Sequence, residues 1–299
     1  MRDSLAKVEE RVSYILLVAP ALLIYLFVMA FPAVFSVVLS FSNYRGGSLF
    51  SGESIGFGGI KAYLEIFRDP YFYMSLRNNI YIVLISVFGQ IPLGFTLAYI
   101  LNRGLIKGGG FFQAMIYLPN VISAVVIGIL FRRFFLSANS AWLEIRQFFD
   151  PAAEFIPGRN AMVPVLMVIL WMYTGMYMLI FLANLQKIDV SIIEASKIDG
   201  ASEWQTLRHI IFPALSGVII TCMILAISGS LRSFDLIFVM TEGGPAYRTS
   251  VLSIFMYDKA FRGTPNFPVA NAISTIMVVI CFILIGITRL TEKRLYSED

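Results

Sequence analysis

Long apolar runs decide what this chain can fold into. The first extends from Tyr14 to Ser40, and five more follow at about 78–101, 111–130, 161–185, 213–240 and 267–290. A helix that crosses a bilayer needs about 20 apolar residues, so six spans use roughly half of such a chain. Hydrophobic residues make up 58% of the sequence and charged residues 14%, where a soluble domain carries about a quarter charged. Every run contains Gly, Pro or both, including Pro20 and Pro32 in the first; membrane helices tolerate these where neighbours satisfy the freed backbone groups. The expected fold is all-α, a multi-pass bundle of six transmembrane helices.

Arg2, Lys7 and Arg11 precede the first run. A secretory signal has an apolar core of only about 7–15 residues, so this longer run is expected to stay as a span. The net charge of +4 is small and its Lys and Arg residues are scattered, which fits anchoring beside a membrane rather than a nucleic-acid surface. Cys222 and Cys281 sit inside apolar runs without CxxC spacing or a His partner, so they read as packing residues. Six spans put both termini on one side. The loops sharing that side are shorter and denser in basic residues, which places the termini in the cytoplasm.

The connections differ in character. Between the first two spans lies a segment rich in Gly and Ser (Arg45-Gly46-Gly47-Ser48, Gly56-Phe57-Gly58-Gly59) that turns amphipathic over Ile60 to Phe67. A short basic turn, Asn102 to Gly108, joins the second span to the third, and Thr241-Glu242-Gly243-Gly244-Pro245 follows the fifth. The polar stretch from Gln186 to Phe212 carries the clearest signal. Ser191 followed by Glu194 has the spacing of a capping box, in which each side chain satisfies an amide of the other's turn. A short helix is expected to start there and stop at Gly200, which adopts the left-handed conformation that ends helices. Ser202 and Gln205 repeat the box, and a second helix then leads to Pro213, which suits a first helical turn. Two short helices with a sharp bend, hung between spans, make a knob that can enter another protein's groove, with Ile198 and Leu207 as apolar anchors.

Glu194-Ala195-Ser196, Asp199-Gly200-Ala201 and the ending Ile211-Phe212-Pro213 resemble the EAA loop of bacterial ABC importer permeases. The chain departs from that pattern at Ser196, where the family has Ala. Leu118-Pro119-Asn120 at the opening of the third span, Phe234-Asp235-Leu236 ending the fifth, and Thr241 to Pro245 resemble the carbohydrate-uptake branch, of the maltose and glycerol-phosphate type. The resemblance covers about 71–290, with the first span as that branch's additional helix. It implies a type I importer permease fold organised as 1–70 (N-terminal segment, first helix and extracytoplasmic loop), a transmembrane domain at 71–290 with a cytoplasmic docking loop at 186–212, and a cytoplasmic tail at 291–299. It implies docking onto an ATPase through Glu194, Ala195, Ser196, Asp199, Gly200, Ala201 and Pro213. The implied partners are a second, different permease, two ATPase subunits and an extracytoplasmic solute-binding protein. The implied place is the bacterial cytoplasmic membrane. No GxxxxGK[ST] loop occurs, so ATP and Mg are expected on the partner ATPase, and this chain is expected to be neither an enzyme nor a cofactor carrier.

A sugar path needs hydrogen-bonding groups and aromatic faces inside the bundle, because hydroxyls in an apolar cavity must be paired. Gln90, Asn120, Ser123, Tyr173, Thr174, Tyr177, Ser230, Ser233 and Asn271 lie at mid-span. Similarity to maltose-type permeases implies pocket-facing positions at Asn120, Ala124, Ile169, Met172, Tyr173, Met176, Ala226, Gly229, Ser230 and Ser233. Each taken singly also fits, and somewhat better, helix packing with any hydroxyl bonded to its own backbone. Arg232 and Asp235, three apart, fit an outer gate pair on one helix face or an interfacial pair without a role. Arg132 and Arg133 fit outer anchors of the third span, and Asp199 fits docking, capping or a solvated turn. His209 lacks acidic or Cys neighbours in ligand spacing and reads as a surface contact. An ion-gradient-driven transporter or channel is the competing reading, but it calls for carboxylates or basic clusters within the spans. A membrane enzyme would need a concentrated acid, His or Cys constellation.

Overall fold

In the computed structural model of the chain, residues 2–44, 56–136, 141–149 and 162–296 are described. The Arg45-Gly46-Gly47-Ser48 segment, Ala161 and the tail at 297–299 lie outside the described residues. Among the described residues the elements are helical, apart from an isolated bridge between Ser42 and Phe57. Four helices among the described residues are long and apolar enough to cross a membrane, or up to six if each of two bent pairs counts as one span. The chain forms two compact units, Met1–Arg68 with Met256–Ile276, and Asp69–Phe255 with Met277–Asp299.

In the first unit, α1 (Arg2–Tyr25) passes through a π turn (Leu26–Ala30) into α2 (Phe31–Ser40). None of the most apolar window of Ser13–Ser40 is buried, as suits a helix surrounded by lipid or by another protein. The amphipathic segment forms α3 (Lys61–Arg68), with Ala62 and Ile66 buried and Leu64 and Phe67 exposed. Within the unit, Ser36 donates to the Asn271 side-chain oxygen at 2.6 Å, and the Ser40 and Tyr63 hydroxyls meet at 2.7 Å.

The second unit begins at α4 (Pro70–Ile85), whose N-terminus is capped by Asp69 accepting from the Tyr71 amide at 2.9 Å. A π turn (Ser86–Gln90) leads into α5 (Ile91–Asn102), so the second span starts earlier than its apolar run. The third span, expected as one helix over 111–130, is two: α6 (Gly109–Val121) and α7 (Ala124–Leu136), bent by 92°. Leu118-Pro119-Asn120 therefore closes α6 instead of opening a span. After α8 (Ala141–Phe149), α9 (Met162–Leu185) is the fourth span. The loop region holds α10 (Val190–Ile198), α11 (Glu203–Thr206), a π turn (Leu207–Ile211) and α12 (Phe212–Ala214). The fifth span, expected unbroken over 213–240, bends by 68° ahead of α13 (Ser216–Leu231) and breaks again before α14 (Asp235–Thr241). The last helices, α15 (Leu252–Phe261) and α16 (Phe267–Tyr296), contribute to both units.

The three π turns share one cause. Each ends two residues before a proline: Pro32, Pro92 and Pro213. A proline ring inside a helix clashes with the carbonyl four residues back and offers no amide to it. One wider turn, closed by the i−5 bonds from Phe31 to Leu26, Ile91 to Ser86 and Phe212 to Leu207, absorbs that misfit without ending the helix.

Helix α9 organises the second unit. It is apolar all round, and 56% of its most apolar window is buried, as expected for a helix packed on several sides. Val165, Val168, Ile169 and Met172 join one cluster with Ile82, Ile127, Leu236, Ile237 and Met240. Tyr177, Met178, Phe181, Leu182 and Leu185 join another with Ile91, Ala98, Ile211, Leu215 and Cys222. Two glycines set how closely its neighbours approach. A Cβ at Gly94 on α5 would lie 2.8 Å from the Tyr177 Cβ, and one at Gly175 would collide with the Ile116 carbonyl of α6.

Candidate functional site

The loop between α9 and α13 is shaped by its helix ends. Asp189 is extended (φ −62°, ψ 123°), and its carboxylate accepts from the Ser191 amide at 2.9 Å. Hydrogen bonds from the backbone and then the side chain of Ser191 hold that carboxyl below the usual range. Helix α10 therefore starts at Val190 with Asp189 as its cap. The Ser191–Glu194 capping box expected from the sequence is not its start, because Asp189, two residues earlier, caps the helix by accepting from the Ser191 amide. Its other end follows expectation. Gly200 is left-handed (φ 80°), the Ala201 amide donates to the Ser196 carbonyl at 2.9 Å, and the Gly200 amide donates to Lys197 at 3.1 Å. These two bonds make a Schellman end. The second box forms as expected: Gln205 N–H donates to the Ser202 hydroxyl, and the Gln205 side chain accepts from the Ser202 amide at 2.7 Å.

These caps leave an exposed apolar knob. Ile198 is 86% exposed and Trp204 65%, beside exposed Val190 and Ile192. Glu194, Ala195, Asp199, Gly200 and Pro213 are exposed and Ala201 is half-buried. Asp199 serves as the C-cap of α10. Ser196 differs from the rest of its group: it is buried, donates to the Ile193 carbonyl at 2.8 Å, and meets the Thr206 hydroxyl at 3.2 Å. Leu207, expected as an anchor, is half-buried in the π turn. His209 is exposed, with its ring nitrogen 3.1 Å from the Gln205 carbonyl.

The path residues divide. Asn120 (last turn of α6), Tyr173 and Met176 (α9) and Ser233 (between α13 and α14) are half-buried, and Gly229 is exposed with open space around it. Met172 is buried in the first cluster with Ile169, and Ala226 in the second. Ser230 is buried and bonded to the Ala226 carbonyl at 2.6 Å and the Ser86 hydroxyl at 3.2 Å. Gln90 donates to the Ile169 carbonyl at 2.8 Å and Thr174 to Leu170 at 2.5 Å. Arg232 caps α13, donates to the Ser228 carbonyl at 3.3 Å, and is separated by a helix break from Asp235. The two do not share a helix face, which removes the geometry of the expected pair. Arg132 instead reaches Glu242 at 3.5 Å.

A polar seam that sequence reading missed lies at the start of the second span. Asn78 donates to the carbonyls of Arg248 (3.0 Å) and Ser250 (2.8 Å). Asn79 donates to the Ser230 carbonyl at 3.0 Å and accepts from the Leu252 amide at 2.8 Å. Both are buried, and with Ser75 on Ser250 and Ser253 on the Ser233 carbonyl they pin the returning segment after α14. The adjacent Asn78-Asn79 pair, inside an apolar run, was its available signal.

Residues 90–296 match the model of the family described as "Binding-protein-dependent transport system inner membrane component". Over 274 residues, 90% of each chain, the sequence is 34% identical to the lactose transport system permease protein LacF of Rhizobium radiobacter. It is 31% identical to the multiple sugar-binding transport system permease protein MsmF of Streptococcus mutans, covering 90% of this chain and 89% of that one. Its fold is similar to a chain of a bacterial ABC transporter involved in import of the acidic polysaccharide alginate, with a TM-score of 0.78, 18% identity and 99% and 100% of the two chains covered.

Proposed function

The chain belongs to the family of binding-protein-dependent transport system inner membrane components, and on that premise we propose that it forms half of the path by which an ATP-driven importer carries a di- or oligosaccharide inward. It is a membrane-embedded permease subunit of an ABC importer, of the sugar-transporting kind to which LacF and MsmF belong. The knob at 186–212 docks in a cleft of a separate ATPase through Glu194, Ala195, Asp199, Gly200 and Ala201, with Pro213 at its exit. Ser196 braces it from within. The other partners are a second, different permease, a second ATPase subunit and an extracytoplasmic binding protein that delivers the sugar. ATP and Mg reside on the ATPase, and both termini lie with the knob in the cytoplasm.

One observation carries this reading: Ile198 and Trp204 stand exposed on a loop in which α10 is capped at both ends and α11 at its start. A rigid apolar knob with no fold of its own to complete is built for another protein's groove. On the path side, Asn120, Tyr173, Met176, Gly229 and Ser233 offer mixed polar and aromatic surface for a sugar, while Met172 and Ser230 shape it from behind.

Coexpression with the importer's ATPase subunit tests the docking. Gly200→Val forces a β-branched residue into φ 80° at a cost of about 1–3 kcal/mol, so α10 loses its end and the ATPase no longer copurifies. An undiminished complex would overturn the docking role. ATP-dependent uptake of lactose and raffinose by proteoliposomes of the assembled importer tests the sugar assignment, and ATP-independent uptake by this chain alone would overturn the whole reading.

A further inference from the structure

We propose that Tyr99, Arg103 and Glu203 form a strut that makes the cytoplasmic end of the second span move as one body with the docking loop. This inference rests on the docking role proposed above and names residues outside the EAA pattern. The Tyr99 hydroxyl donates to Glu203 Oε1 at 2.5 Å, and the Arg103 guanidinium pairs with the same oxygen. Arg103 also lies over the Tyr99 ring at 5.5 Å. Three side chains therefore close on one another between segments about a hundred positions apart in sequence.

Local structure fixes both ends. Glu203 is the first residue of α11, immediately after the capped Ser202, where the helix N-terminus favours an anion. Arg103 is the C-cap of α5, where a cation is favoured. Neither side chain needs a long search to find the other. Behind the strut, Phe95 contacts Tyr99 (6.0 Å between ring centres), Phe212 (5.0 Å) and Phe181 (5.5 Å). The line from Glu203 thus continues into the second, fourth and fifth spans through packed rings.

An isolated surface ion pair contributes little to stability. Here Arg103 is only 21% exposed, and the pair shares its acceptor with a phenol and its cation with a ring. Its part is geometric: it fixes the loop against α5, so that a push from the ATPase reaches the second span directly instead of passing only through the bend ahead of α13. The contiguous packing from loop to spans is the physical route for that push.

The test uses the full importer, with Cys222 and Cys281 replaced by Ala and spin labels placed at Leu105→Cys and Arg208→Cys. In the unsubstituted complex the label separation stays the same between nucleotide-free and ATP–vanadate-trapped states. In Glu203→Gln and Arg103→Gln it shifts or broadens on trapping, and stimulation of ATP hydrolysis by the binding protein falls about fivefold. The exchange Glu203→Arg with Arg103→Glu restores both readouts toward the parent. A separation that changes in the parent, or one left unaltered by Glu203→Gln, overturns the strut. ATPase copurification on the same samples separates the two claims: a retained complex with unaltered labels sinks only the strut, and an unsubstituted chain that does not bring down the ATPase sinks the docking role with it.

Discussion

Ser196 stands where the family pattern has Ala, and its surroundings explain why the hydroxyl is tolerated. Its oxygen is not presented to a partner but spent inside the knob, on the Ile193 carbonyl and the Thr206 hydroxyl. The bond crosses from α10 to α11 and holds the bend at Gly200 closed. Ser196→Ala removes that link and leaves the buried Thr206 hydroxyl without its cross-helix partner, at a cost of about 1–3 kcal/mol. Thr206→Val in the same chain removes the second polar group, and the double variant is expected to recover most of the loss. Amide exchange over 190–206 reads the outcome: protection falls in the single variant and returns in the double. The sequence supplied Ser196 as a conservative departure, but only its burial beside Thr206 tells what the hydroxyl does. Asp189 is a similar case. Two polar residues near the start of α10 competed for the cap, and spacing alone favoured Ser191. The extended backbone at Asp189 decided the matter.

At the scale of elements, the apolar runs located the spans because burial in lipid demands long stretches of apolar side chains, whatever their internal geometry. The breaks inside them were not legible for the same reason. Hydropathy averages across Ile122-Ser123 and across Arg232 to Phe234, where the helix ends but the surroundings stay apolar. The π turns left a clearer trace in Pro32, Pro92 and Pro213, each deep in an otherwise helical run. The last of these has a mechanical consequence. A π turn inserts one extra residue, so everything on its N-terminal side is rotated by about 100° relative to an unbroken α-helix. Pro213→Ala removes the ring that forces this insertion. Residues 207–213 are then expected to rewind, turning the docking knob about the axis of α12 while its own caps stay intact. The expected result is a folded knob, by amide exchange over 190–206, with at least tenfold weaker ATPase association, about 1.4 kcal/mol. An unweakened complex would show that the linker's wind does not set the knob's direction.

For the second unit taken whole, α9 supplies the apolar centre, while the asparagine seam at the start of the second span supplies the order. Two apolar clusters along one helix accept many small shifts of their neighbours, since dispersion contacts are not directional. The seam does not. Asn79 holds a carbonyl of α13 and the first amide of α15 at once, at 3.0 and 2.8 Å, with no exposed surface of its own. Water has no ready access there to replace a lost bond, so each orphaned backbone group is expected to bear most of its desolvation cost. Asn79→Ala leaves the Leu252 amide unsatisfied and the Ser230 carbonyl with only neighbouring backbone amides such as Ser233 at 3.4 Å, at about 1–3 kcal/mol for the lost amide partner. Asn79→Asp keeps an acceptor for Leu252 but turns a carboxylate toward the Ser230 carbonyl, and rescues nothing. The segment after α14 is also held by Asn78, so it should loosen without detaching. Limited proteolysis within 242–250 is then expected to speed up severalfold in Asn79→Ala, with little change at the knob. Equal cleavage rates in variant and parent would mean that the apolar clusters alone fix the returning segment. Faster cleavage confined to 242–250 assigns that order to two adjacent amide side chains that stand out in the sequence, while their backbone partners, 151 to 173 positions away, do not.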